Sequence, residues 1–139
     1  MTPYDEIFIL FLSKIEDYEL KNDLQTDPDF AKEKMLDWLI SAIPKFTYCT
    51  KDLSQRDDAN QAFTETLTQM EKEILSTLMV VEYLSPKVLR SEYFETYLGS
   101  KDFANYSPAN QLKEVNNLKK SIKEEAESLM IQYYFMQDV

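Results

Sequence analysis

Thr2-Pro3, Asp27-Pro28 and Ser107-Pro108 each set a helix-capping residue directly before a proline at the start of a helical pattern. The cap's side-chain oxygen takes up a free backbone amide of the first turn. The proline has no amide to leave unsatisfied there, and its ring already holds a helical φ. These helix starts sit beside a single glycine, Gly99, in 139 residues. An all-β fold of tight turns needs more glycine than that, so the chain is expected to be mainly α. Its length suits one domain, 1–139, and 44% hydrophobic with 13% aromatic residues set it apart from a disordered tail.

After Thr2-Pro3, Tyr4, Ile7, Phe8, Phe11 and Ile15 recur at spacings of three and four, which is one helical face. Asp5 and Glu6 suit the positive end of that helix. Ile9, Leu10 and Leu12 make it apolar almost all round, so it is expected to be central or buried against a second chain, with those three as an inter-subunit face. A second helix is expected from Pro28 to about Ile43, with Ala31, Met35, Trp38, Leu39, Ala42 and Ile43 inward and Pro44 ending or kinking it. Thr68 and Glu71 form a capping box for a third, whose inward stripe is Met70, Ile74, Leu75, Leu78, Met79, Val81 and Leu84. Ser85-Pro86 is expected to break it. A shorter helix then runs to about Leu98, carrying Val88, Leu89, Tyr93, Phe94 and Tyr97, and Gly99 closes it as a left-handed cap.

Ser107-Pro108 opens the longest helix, reaching about Phe135 and spanning roughly 40 Å. Its stripe is Leu112, Val115, Leu118, Ile122, Ala126, Leu129 and Tyr133. A helix of that length is expected to project from a domain of this size, with 131–139 as the projecting tail. Ile131, Tyr133, Tyr134, Phe135 and Met136 then form an interface anchor, or else fold back on their own core. Deleting Tyr133 to Val139 separates the two readings: the anchor reading leaves a folded domain, the core reading loses helicity. From Thr47 to Thr66 the periodicity stops, with Leu53 and Phe63 isolated among polar residues. This is a loop disordered until bound, a β-hairpin arm docking elsewhere, or a short poorly patterned helix. The expected architecture is four to five helices in a bundle, with a long C-terminal helix and this loop or arm.

The chain has no His, which removes the commonest general base and metal ligand. One Cys leaves no internal disulfide, and one Gly leaves no phosphate-cradling loop. The carboxylate pairs Asp5-Glu6, Asp57-Asp58 and Glu124-Glu125 are adjacent in sequence and do not face each other on a helix. The acids from Asp52 to Asp58 lack the Gly and terminal Glu of a calcium loop. Cys49 reads as a small buried hydrophobe. No catalytic residue, metal site or cofactor is expected.

Against 15 basic residues stand 25 acidic ones, a net charge of −10. Eight acids and two lysines fall in residues 1–30, so the excess is concentrated there. It opposes adhesion to nucleic acid and to anionic membranes. The apolar run Ile7–Leu12 is too short to span a bilayer and follows acids rather than bases, so residence in the cytoplasm is expected.

The segments TPYDEIFILFLSKIEDYEL, WLISAIPKF, TLTQMEKEILSTLMVVEYLSPKV and LGSKDFANYSPANQLKEV, in that order and spacing, resemble the head–tail connector (adaptor or neck) proteins of long-tailed bacteriophages of Gram-positive hosts. They cover most of the chain. The resemblance implies a structural virion protein, made in the host cytoplasm, that assembles with copies of itself into a ring, usually of twelve. The ring sits beneath the portal protein, extends the DNA channel and offers a platform to a head-completion (stopper) or tail-terminator protein. DNA is then only passing cargo. The resemblance places portal binding on the C-terminal segment from Ile131. The polar loop, with Lys51, Asp52, Arg56, Asp57 and Asp58, would reach a neighbouring subunit or line the channel. The alternative from a different class is an acidic inhibitory protein that mimics DNA. The acids Asp5, Glu16, Asp17, Glu19 and Asp23 are clustered but not spaced like phosphates, which counts against it.

Overall fold

The computed structural model describes the backbone of residues 1–105 and 108–137 and the side chains of 1–87 and 113–137. Among these the fold is mainly α. In chain order it comprises β1 (Thr2–Pro3), α1 (Tyr4–Leu12), α2 (Tyr18–Thr26), α3 (Pro28–Ala42), a 3-10 turn at Ile43–Lys45, β2 (Arg56–Asp57), β3 (Ala62–Phe63), α4 (Gln69–Asn105) and α5 (Pro108–Gln137). α4 is the spine: α1, α3 and α5 all pack on it, and α2 packs on α3. The core joins Ile7, Phe8 and Phe11 of α1, Met35 and Leu39 of α3, Ile74, Leu75, Leu78 and Met79 of α4, and Ala126, Met130 and Tyr133 of α5. Trp38, Phe11 and Tyr83 meet at ring-centroid distances of 5.2–5.8 Å.

Two expected helix starts form as read. Asp27 caps α3 by accepting from the Phe30 amide at 3.3 Å, with Pro28 at its first position. The Thr68 amide donates to Glu71 Oε1 at 2.7 Å, and the Glu71 amide donates back to Thr68 Oγ1 at 3.2 Å. The first start differs by one residue. Pro3 occupies the cap position of α1, and Thr2 lies in β1 with its hydroxyl turned elsewhere. That hydroxyl donates to the Glu65 carbonyl and accepts from the Leu67 amide, which ties the N-terminus to the segment between β3 and α4. Ser107 lies outside the described residues.

α1 ends at Leu12, where the Ser13 hydroxyl donates to the Leu10 carbonyl, and Ile15 packs on the core from the following turn. Periodicity does not signal α2. Asp17 starts it by accepting from the Leu20 amide at 3.0 Å, and only Leu20 and Leu24 face inward. The expected break at Ser85-Pro86 does not occur, since α4 runs through Pro86 to Asn105. A proline inside a helix removes one ladder hydrogen bond and costs roughly 3 kcal/mol relative to Ala. Packing of α4 against α1, α3 and α5 offsets that cost. Gly99 therefore lies within the helix instead of closing one. The side chains of Val88, Leu89, Tyr93, Phe94, Tyr97 and Leu112 lie outside the described ones.

Residues 47–66 form a small hairpin that docks on the chain's own N-terminus. β3 pairs antiparallel with both β1 and β2, with Thr2 and Arg56 opposite Phe63, and Pro3 and Asp57 opposite Ala62. Leu53 and Phe63 are buried and anchor the segment in the core. At the tip, Asp57 accepts from the Asn60 amide and side chain, and Gln61 takes a left-handed φ of 51° while its carbonyl accepts from the Tyr4 amide. Tyr4 stands edge-on to Phe63, and its buried hydroxyl has no hydrogen-bond partner among the described residues. Leaving such a group unsatisfied costs about 1–3 kcal/mol. Tyr4→Phe is thus expected to unfold in urea at an equal or higher midpoint. A clear drop in midpoint would show that the hydroxyl has a stabilising partner.

Candidate functional site

Most of the N-terminal acids turn out to serve the fold. Asp5 pairs with Lys32, Glu6 with Lys72 and Asp23 with Lys34, at 3.3–3.4 Å. Asp17 caps α2 and also accepts from the Tyr83 hydroxyl at 2.6 Å. Burial opposes its charge, but the Tyr83 hydroxyl and the Leu20 amide outweigh burial and hold its carboxyl below the usual value. Burial, with Asp17 beside it, pushes the Tyr83 phenol well above its ordinary range.

Among the described residues, a cluster of exposed apolar side chains lies at the C-terminal end of α5. Ile131, Tyr134, Phe135 and Met136 are all exposed there, Phe135 at 64%. Tyr48, from the segment after the 3-10 turn, joins them with its ring 5.0 Å from that of Tyr134, and Tyr134 lies 5.6 Å from Phe135. Beside this band run two contiguous grooves of about 310 and 360 Å³. Leu78, Val81 and Met130 line the first, and Lys45, Thr47 and Glu127 border both. Lys45 is itself paired with Glu82.

Tyr133 does not belong to that band. It is 1% exposed, its ring edge-on to Phe46, and its hydroxyl donates to Glu71 Oε2 at 2.7 Å. The reading of Tyr133 as an exposed anchor is corrected on that ground. So is the reading of 131–139 as a projecting tail from its first residues, because Met130 and Tyr133 fasten the helix end to the core. Tyr133 sits one turn beyond Leu129 on the apolar stripe, whereas Tyr134 and Phe135 fall off it. That spacing was the available signal.

The three α1 residues do not form one free face. Ile9 is 66% exposed, Leu10 is half-buried, and Leu12 packs against the chain's own core. Of the loop residues, Lys51 reaches Glu71 at 3.4 Å and Asp52 accepts from the Ser54 amide and hydroxyl. Asp57 holds the hairpin tip, and Arg56 and Asp58 are exposed. Cys49 is half-buried, and burial raises its thiol pKa.

Glu71 is the ionisable group that periodicity alone undervalued. It is 1% exposed, and its carboxylate receives the Thr68 amide, the Lys51 ammonium and the Tyr133 hydroxyl. Burial disfavours its charge, but these three donors outweigh burial, and its carboxyl is held below the ordinary value. Such a satisfied cluster is what a buried structural carboxylate needs.

Among the described residues no three His, Cys, Asp or Glu side chains are grouped to hold a metal ion, and no helix is long and apolar enough to cross a membrane. What the geometry offers is an exposed patch of aromatic and aliphatic side chains on a helix end fixed to the core. Comparison of the chain with protein-family models, with curated proteins and with solved structures gives no match.

Proposed function

We propose that this chain is a structural subunit of a phage head–tail junction, assembling into a ring beneath a portal protein and carrying the next connector or tail protein. The observation that carries the reading is the exposed band of Tyr48, Ile131, Tyr134, Phe135 and Met136 beside the apolar grooves. Aromatic and Met side chains concentrated in one place are the composition of interface anchors. The likeness of the four long sequence segments supplies the identity of the partner. The DNA-mimic alternative loses support, because Asp5, Asp17 and Asp23 of its acidic cluster are engaged in ion pairs and a cap, which leaves Glu16 and Glu19 as its exposed acids outside those contacts.

Negative-stain microscopy of the protein with and without portal assemblies tests the proposal. A ring with a central hole on the portal is expected. A protein that stays monomeric with portal and is missing from purified virions overturns it.

A further inference from the structure

Three stretches far apart in sequence meet at one carboxylate. Glu71 Oε1 accepts from the Thr68 amide at 2.7 Å and from Lys51 Nζ at 3.4 Å, and Oε2 accepts from the Tyr133 hydroxyl at 2.7 Å. The same Tyr133 oxygen accepts from the Thr50 amide at 3.1 Å and lies 2.8 Å from Thr50 Oγ1. The segment holding Thr50 has little regular structure to fix it. The Cys49 amide makes a long, 3.5 Å bond back to the Phe46 carbonyl, and its thiol meets Tyr133 and the Lys51 backbone. The segment's polar groups are therefore held by Tyr133 and, through Lys51, by Glu71, while Tyr133 itself donates to Glu71.

The surface rings are the immediate neighbours of these groups. Tyr48 precedes Thr50 by two residues, Tyr134 follows Tyr133, and their rings touch. We propose that Glu71 is a latch: it fixes residues 47–51 and the last turns of α5 together on the start of α4, so that the Tyr48–Tyr134–Phe135 surface forms and is lost as one unit. Withdrawing Tyr133 frees the Thr50 amide and takes one donor from the buried carboxylate, and releasing residues 47–51 takes the Lys51 ammonium from it. The two segments are thereby coupled without sharing a regular element. The latch concerns how the surface is built, so it holds whatever docks there and does not rest on the portal reading.

Hydrogen–deuterium exchange by mass spectrometry on the full chain tests it, using Tyr133→Phe and Thr50→Val. Tyr133→Phe keeps the ring and deletes the hydroxyl. Exchange is expected to rise at least tenfold in both 47–51 and 130–137, with α1 and α3 at wild-type rates. Thr50→Val, which removes one hydroxyl and spares the Glu71 bond, should move the same two segments by a smaller factor, and it decides the matter if Tyr133→Phe lacks native circular dichroism. Acceleration of one segment alone, of neither, or of the whole chain uniformly overturns the latch.

Discussion

Glu71→Ala is expected to cost the fold about 3 kcal/mol, because it strands the buried Tyr133 hydroxyl, at about 1–3 kcal/mol, and removes the capping box of α4, at about 1 kcal/mol. The Thr68 amide, the Tyr133 hydroxyl and the Lys51 ammonium would all lose their acceptor, and the Tyr133 hydroxyl would lose it in a buried site. Against a typical total stability of about 5–15 kcal/mol, that loss is a large fraction of the whole. Glu71→Gln keeps the shape and one acceptor oxygen, so it should cost less. It also isolates the pH dependence. Folding holds the Glu71 carboxyl below its ordinary value of 4.5. Its contribution is therefore fully present above about pH 4.5 and lost as pH falls through the lower folded value. Urea midpoints measured from pH 7 downwards should fall more steeply for wild type than for Glu71→Gln below that point. Parallel profiles would mean that the Glu71 charge adds nothing to folding.

The parts of this fold that can be read from sequence are those whose cause is local. Asp27-Pro28 and Thr68–Glu71 each place cap and amide within four residues, so the residues that signal the helix start are also those that make it. The inward stripes of α3 and α4 follow from a period of 3.6. α2 escapes that logic, because a nine-residue helix with two inward leucines shows almost no stripe. Its cap, Asp17, is just as useful to Tyr83, 66 residues away. Pro86 misleads for the opposite reason: its local preference is real, and packing along α4 overrides it. The hairpin is legible only as a polar interruption, since Leu53 and Phe63 gain meaning when α4 and β1 are already in place. The site divides in the same way. The apolar character of residues 131–136 is plain in sequence and the stripe through Leu129 singles out Tyr133, but the partner of its hydroxyl, Glu71, lies 62 residues away.

The contrast between buried Tyr133 and exposed Phe135 predicts a sharp difference between two truncations. Removing Tyr133–Val139 takes out a fully buried aromatic ring and the hydroxyl that meets Glu71. Losing a buried aromatic costs about 3–5 kcal/mol, and the stranded carboxylate adds to it. The melting temperature should fall by about 10 °C or more, with loss of helical circular dichroism. Removing only Phe135–Val139 deletes a side chain that is mostly in solvent and leaves Tyr133 in place. That protein should melt within a few degrees of wild type. The comparison separates folding from docking: the shorter deletion removes part of the aromatic band, so binding through it should fall while the fold persists. Equal losses of stability in the two deletions would place Phe135 in the core alongside Tyr133. A full-length melting temperature in both would show that the contact between Tyr133 and Glu71 contributes nothing to the fold.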